Sequence, residues 1–367
     1  MLTIAAFGNE RSACTGYRVK DPLNKMKQLR MADVKMVGNI GQDTEGEIKK
    51  SDVVYFGRAA SDNILKTINI VHSFKKKVVF DLDDDIFDIS PYSQHYARLG
   101  IMGMEIKAPN GEVSTMWEDG RHGFDISDNR RFRASFVKVL QKVDAVTVTT
   151  QPLKELYSKF NRNVHVNPNS IDMYRWRTER IPKPEGWPVR LLYTGAANHQ
   201  LDVVEMMPVL VELQRAHMDL RIAFVGTDWK SVKNELDYTR VDVHPWVDYE
   251  AYPYLLKSIN ADIGIAPIQR TFFDSCRSAI KYYEYSAIGI PTVATDFGPY
   301  KREMIDGKTG FLVDSDKEWF DRISELVKDK ALRETVARNA LRDVERNHSL
   351  DYQVETWEQN FKTITEN

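Results

Sequence analysis

Apolar positions along the chain follow two alternating periods. Short runs rich in β-branched and aromatic residues predict strands at Leu2–Phe7, Val34–Val37, Val53–Phe56, Val78–Asp81, Ala145–Val148 and Val164–Val166. A second set follows at Arg190–Tyr193, Arg221–Val225, Val241–His244, Ile263–Ala266, Thr292–Ala294 and Phe311–Val313. Between most of them the apolar spacing lengthens to three or four. That spacing predicts helices over Leu23–Arg30, Ile64–Phe74, Asn129–Gln141, Pro152–Lys159, Val203–Ala216, Ala251–Ser258, Ala279–Ala287 and Trp319–Lys328. Strand–helix–strand alternation predicts an α/β protein with parallel sheets covered on both faces, and two successive sets predict two such sheets.

The break lies within Asn169–Pro188, where RTERIPKPEGWP carries three prolines and a glycine and the strand RLLYTG restarts the order. The expected domains are 1–172 and 173–347, followed by a terminal segment, 348–367. There Val354, Trp357, Phe361 and Ile364 share one helix face and would pack back on the first domain. Residues 90–128 are an insertion that fits no plain strand–helix unit; they read either as a binding loop or as a hairpin about Asn110-Gly111 capping the sheet edge.

Composition narrows the function classes. The 367 residues carry 51 basic and 53 acidic side chains, a net charge of −2, so no global attraction to nucleic acid or an anionic membrane is expected. Two cysteines far apart, Cys14 and Cys276, argue against a disulfide framework and for a reduced, cytoplasmic setting. The first apolar run reads as a strand rather than a leader, and no window approaches the ~18 apolar residues a membrane helix needs.

Candidate chemistry concentrates in Ser275–Val313. There Lys281-x-x-Glu284 opens a helix, Gly289-Ile-Pro-Thr-Val-Ala-Thr-Asp296 follows, and Asp306-Gly-Lys-Thr-Gly310-Phe-Leu-Val closes the segment. Order and spacing resemble the C-terminal domain of retaining glycosyltransferases of the GT-B fold, of the large family 4 or "glycosyl transferases group 1" type. The resemblance implies two Rossmann-like domains with a cleft between them and a C-terminal helix crossing back. It also implies a sugar nucleotide held mainly by the C-terminal domain, an acceptor held by the N-terminal one, and transfer to a hydroxyl with retention. The donor would be a nucleoside-diphosphate sugar such as a UDP-sugar. The acceptor would be a glycan, a lipid-linked or a small-molecule hydroxyl.

The residues support that implication independently. A helix opening at Arg277, Ser278, Ala279 and Ile280 points unpaired amides at whatever precedes it, which suits a diphosphate. Ser278 is positioned to cap the helix or touch a phosphate, Lys281 to add a point charge in the first turn, and Glu284 to accept two ribose hydroxyls one turn on. The competing reading is an ordinary Lys–Glu pair on a helix face. Gly195 and Ala196 end a strand where a backbone can approach phosphate closely. In the family an Arg and a Lys commonly follow that loop; Asn198 and His199 stand there instead, leaving phosphate charge to Lys281 with Arg270 or Arg277. Trp246 and Val247 occupy the segment that the resemblance implies touches the nucleobase. The family often has a first glutamate where Cys276 stands, and Asp274 is the nearest carboxylate.

Asp81-Leu-Asp83-Asp84-Asp85 closes the strand KKVVF, at the end of a strand where open α/β sheets put ligands. Asp83, Asp84 and Asp85 are candidate catalytic carboxylates facing an acceptor hydroxyl; the alternative is that Asp84 or Asp85 caps a turn at Ile86. A bound divalent metal is not favoured, because GT-B enzymes usually work without one, and no tightly bound cofactor is expected. The loop after the first strand lacks a GxGxxG fingerprint, so a dinucleotide is not expected; Gly16 and Arg18 are candidates to contact acceptor or donor phosphate.

Three alternatives stay open: a nucleotide-sugar epimerase of the same fold, a non-catalytic sugar-nucleotide-binding protein, and a DNA-base-modifying transferase. The last would use Arg98, Lys107, Arg121, His122, Arg130, Arg131 and Arg133 to line a groove, unless the acidic residues among them make a solvated loop.

Overall fold

The computed structural model describes all residues except 9–12, 38–43, 58–61, 94, 108–112, 178–180, 185, 196–199, 227–228, 230–234 and 367. The chain divides into two compact units. One comprises Met1–Glu10, Arg18–Pro168 and Thr356–Asn367; the other comprises Arg11–Tyr17 and Asn169–Glu355.

In the first unit the strands are β1 (Leu2–Phe7), β2 (Ala32–Val37), β3 (Val53–Gly57), β4 (Lys77–Leu82), β5 (Met104–Lys107), β6 (Val113–Trp117), β7 (Ala145–Val148) and β8 (Val164–Val166). Six of them form one sheet in the order β2-β1-β3-β4-β7-β8, paired parallel throughout. Val53, Val54, Tyr55 and Phe56 are all buried, as a strand covered on both faces requires. Trp357 and Phe361 of the terminal helix (Leu350–Glu366) pack on Tyr55, and Asn360 donates to the Val166 carbonyl at 3.0 Å.

The insertion takes the hairpin form. β5 and β6 pair antiparallel; their turn, including Asn110-Gly111, lies outside the described residues. Beneath it Tyr96, Trp117 and Phe124 pack ring on ring, and the Trp117 indole donates to the Pro91 carbonyl at 2.6 Å. Three of the seven basic residues named for a DNA groove have local partners: Arg121 pairs with Glu118, Arg131 with Asp128, and Arg133 donates to the Leu99 carbonyl. The two ion pairs offset the charge of Arg121 and Arg131, which leaves less basic charge to meet a DNA backbone.

The second unit repeats the scheme with β9 (Arg190–Gly195), β10 (Arg221–Gly226), β11 (Val241–Pro245), β12 (Ile263–Ala266), β13 (Thr292–Thr295) and β14 (Phe311–Val313). The order is β11-β10-β9-β12-β13-β14, again parallel. Alternate residues feed two cores. Leu191, Tyr193, Ile222 and Phe224 face one side, while Leu192, Ala223 and Val225 face the other. The expected Val203–Ala216 helix is two helices, Gln200–Val204 and Met207–Ala216. Pro208 has no N–H to continue the first and instead opens the second.

Candidate functional site

Strand order in the second sheet turns at β9, with β10 and β11 on one side and β12 to β14 on the other. In open parallel sheets such a switch point, at the C-terminal ends of the two strands that flank it, is where ligands bind; here those strands are β9 and β12. The helix Ile280–Ala287 is fixed against this point by one aromatic side chain. Gly264 of β12 carries no side chain, so the Tyr285 ring lies directly on the strand; an added Cβ would come within 2.2 Å of it. The Tyr285 hydroxyl then reaches β9, accepting from the Thr194 amide at 3.1 Å.

That seating buries the first turns of the helix. Lys281 is 7% exposed and Glu284 4%. The Lys281 ammonium stands 5.8 Å over the Tyr193 ring. Burial drives it below its ordinary pKa of 10.5 to about 8, with Asp202 opposing the shift and Arg277 adding to it. Burial likewise lifts Glu284 from 4.5 to about 7, against the hydrogen bond from Tyr17, the nearby Lys281 charge and the hydrogen bond from Tyr252. Around them Arg277 pairs with Asp274 at 2.8 Å and with Asp202 at 3.6 Å. Both aspartates are buried, which raises their pKa values. The cluster is thus two cations and three carboxylates in a poorly solvated place.

Ser278 does not cap the helix. The N-cap is Ala279, with no side-chain hydrogen bond, and the Ser278 hydroxyl instead accepts from Asn169 at 2.9 Å. The cause is an intervening short helix, Phe272–Cys276, which ends at Arg277 and turns Ser278 aside. Arg270 lies on the loop after β12. It pairs with Asp314 and lines a cavity of about 350 Å³ with Asp202, Glu205, Gln269 and Trp319. Gly195 ends β9, while Ala196, Asn198 and His199 lie outside the described residues. Val247 is half-buried after β11 and Trp246 exposed. Cys276 is buried in the core.

Within the first unit, Arg18 has a structural role rather than that of a loop residue open to phosphate. It is 2% exposed and grips Asp81 bidentately, Nε to Oδ2 at 2.9 Å and Nη2 to Oδ1 at 2.7 Å. Thr147 adds a hydrogen bond to the same Asp81. Asp85 is 1% exposed and accepts from the Phe87 amide at 2.7 Å, so its carboxylate closes a turn, as the capping alternative has it. Asp83 and Asp84 are half-buried at the end of β4. Gly16 belongs to the second unit and lies against the Tyr249 ring.

Sequence reasoning missed Tyr17, Tyr252 and Asp202. Asp202 carried one signal, an acidic residue in the first turn of the helix after β9. The tyrosines carried none, because 267 residues separate Tyr17 from Glu284.

Residues 188–329 match the family model for glycosyl transferases group 1. No curated protein matches the chain. Among solved structures the chain is similar to sucrose-phosphate synthase from Thermosynechococcus elongatus, with a TM-score of 0.63, 11% identity and all of both chains covered. It is similar to Anabaena HepE in complex with UDP-glucose, with a TM-score of 0.64, 12% identity and all of both chains covered. It is also similar to a glycosyltransferase from Rickettsia africae, with a TM-score of 0.64, 13% identity, and 100% of this chain and 99% of the other covered. At these identities the likeness to solved structures is one of fold. The match spans β9 to the helix Asp316–Lys328 and so contains Lys281, Glu284, Asp202 and Arg277. The chain has the GT-B fold, and within it residues 188–329 carry the match to the glycosyl transferases group 1.

Proposed function

We propose that the chain moves a sugar from a nucleoside-diphosphate sugar, UDP-linked in the first instance, to a hydroxyl acceptor with retention of anomeric configuration. One observation carries the reading: a lysine and a glutamate, three residues apart, are buried at an uncapped helix start beside the C-terminal ends of β9 and β12, inside the matched segment. Uncapped amides and an ammonium suit a diphosphate; a buried carboxylate suits a ribose diol. As the glycosidic bond breaks, negative charge grows on the leaving diphosphate. Lys281 and the amides of the first turn are fixed in place to meet it, without solvent reorganisation. Gly195 and Val247 are proposed to approach phosphate and nucleobase through backbone. Arg277 is proposed to orient Lys281 through the shared aspartates. In the first unit, Asp83 and Asp84 are the proposed carboxylates for the acceptor hydroxyl. The acceptor class is a glycan, a lipid-linked or a small-molecule alcohol.

The experiment is a thermal-shift screen of UDP, GDP, ADP and their sugars, followed by turnover with the best donor. A ligand that binds only the folded state raises the melting temperature. A shift with UDP-sugars that vanishes in Lys281→Met supports the reading. No shift with any nucleoside diphosphate overturns it. Conversion of the sugar nucleotide into its epimer without acceptor would favour the epimerase.

A further inference from the structure

Both oxygens of Glu284 are already engaged. Tyr17 Oη donates to Oε1 at 2.7 Å and Tyr252 Oη to Oε2 at 3.1 Å. Two hydroxyls converging on one buried carboxylate is the hydrogen-bond pattern a cis-diol would make with it. The two phenols differ in how they are held. Tyr252 opens the helix Tyr252–Ile259. Tyr17 comes from the far end of the sequence, on a short segment that groups with the second unit while residues from Arg18 onward group with the first. The segment is seated closely. An added Cβ on Gly16 would lie 2.4 Å from the Tyr249 ring, and the Tyr17 ring meets the same Tyr249 edge-on at 4.9 Å. Tyr17 is 7% exposed, so its hydroxyl is committed to this contact and not to water.

We propose that the Tyr17 hydroxyl holds the place of a ribose hydroxyl, so that a nucleoside diphosphate reaches Glu284 only by displacing Tyr17. The 13–17 segment is then an internal competitor of the donor. This rests on the assignment of Glu284 to the ribose. Tyr252, anchored in its helix, keeps its own oxygen and is a positioning residue. A phenol–carboxylate hydrogen bond in a poorly solvated interior is stronger than a neutral one. Whatever stabilises the closed arrangement lowers the apparent donor affinity by the fraction of molecules left open.

The test is calorimetric titration of UDP into the full chain and its variants. Tyr17→Phe removes the hydroxyl and Gly16→Ala removes the seat while keeping the hydroxyl. Each is expected to bind UDP about tenfold tighter, the loss of one charge-assisted hydrogen bond from the unliganded side only. Unchanged or weaker binding in both variants overturns the competition. Glu284→Ala tests the underlying assignment separately. If it binds UDP as the unaltered chain does, the ribose role itself fails. If it binds at least tenfold more weakly while Tyr17→Phe gains nothing, only the competition fails. Hydrogen exchange on the unaltered chain needs no variant to fold: saturating UDP should speed exchange at the amides of residues 13–17, and slower exchange there contradicts displacement.

Discussion

Raising the pH from 7 to 9 should cost the chain most of its affinity for UDP-glucose, and the loss should vanish in Lys281→Met. Lys281 titrates near 8 because burial disfavours its ammonium. A group with that pKa is about 90% charged at pH 7 and about 10% at pH 9, so a contact needing the charge weakens about tenfold, or ~1.4 kcal/mol. An ordinary lysine near 10.5 would stay almost fully charged over that range. Glu284 works in the opposite sense. With a pKa of about 7 it goes from half to fully ionised, which strengthens a carboxylate–ribose contact by at most about twofold. The lysine wins, and the net loss is about fivefold. Below pH 7 the order reverses, because Lys281 is already charged while Glu284 takes up its proton. The profile is therefore a narrow bell whose two limbs belong to the pair. UDP-glucose is the right probe because its esterified diphosphate does not titrate in this range. Calorimetric titrations at half-unit steps would read the profile. Lys281→Met should bind about 10- to 100-fold more weakly at pH 7, the worth of a hydrogen bond to a charged group, and lose nothing further to pH 9. An unaltered chain that binds equally at pH 7 and 9, or a Lys281→Met variant that keeps the alkaline limb, would refute the reasoning.

Four further outcomes follow from the same geometry. Glu284 has its pKa raised on folding, so its contribution to stability is present below the unfolded value of 4.5 and is lost as pH rises through about 7; Glu284→Gln should accordingly gain melting temperature relative to the unaltered chain at pH 8, with the gain shrinking toward pH 4.5. Arg18→Met leaves Asp81 buried without its bidentate partner, which should cost the first unit about 3–5 kcal/mol in chemical denaturation while leaving UDP affinity within twofold; a change confined to affinity would assign Arg18 to the ligand instead. Asp85→Ala removes a turn-closing acceptor and should lower stability by about 1 kcal/mol, whereas Asp83→Asn should cut turnover at unchanged melting temperature; equal turnover in Asp83→Asn removes it from the acceptor site.

Much of the fold was legible because buried parallel strands are continuous apolar runs and the helices between them carry a clear three-to-four spacing. All twelve strands read from the sequence stand in the two large sheets, most within a residue or two of their expected ends. The broken helix at 200–216 was readable in principle from Pro208, but its apolar spacing continues across the break. Lys281 and Glu284 stood out through local order: a helix start, a Gly-Ile-Pro strand and a glycine-rich turn in sequence. What stayed hidden was decided over long separations. Arg18 and Asp81 are 63 residues apart, and no pattern along the chain announces that one neutralises the other. Ser278 looked like a cap because the short helix Phe272–Cys276 has too few residues to show a period.

The most direct measurement is a crystal structure of the full chain with UDP. The diphosphate is expected within hydrogen-bonding distance of Lys281 Nζ and the amides at Ala279–Lys281, with the ribose hydroxyls on Glu284. Well-ordered UDP bound elsewhere, with Lys281 and Glu284 still engaged only with their protein neighbours, would contradict that placement.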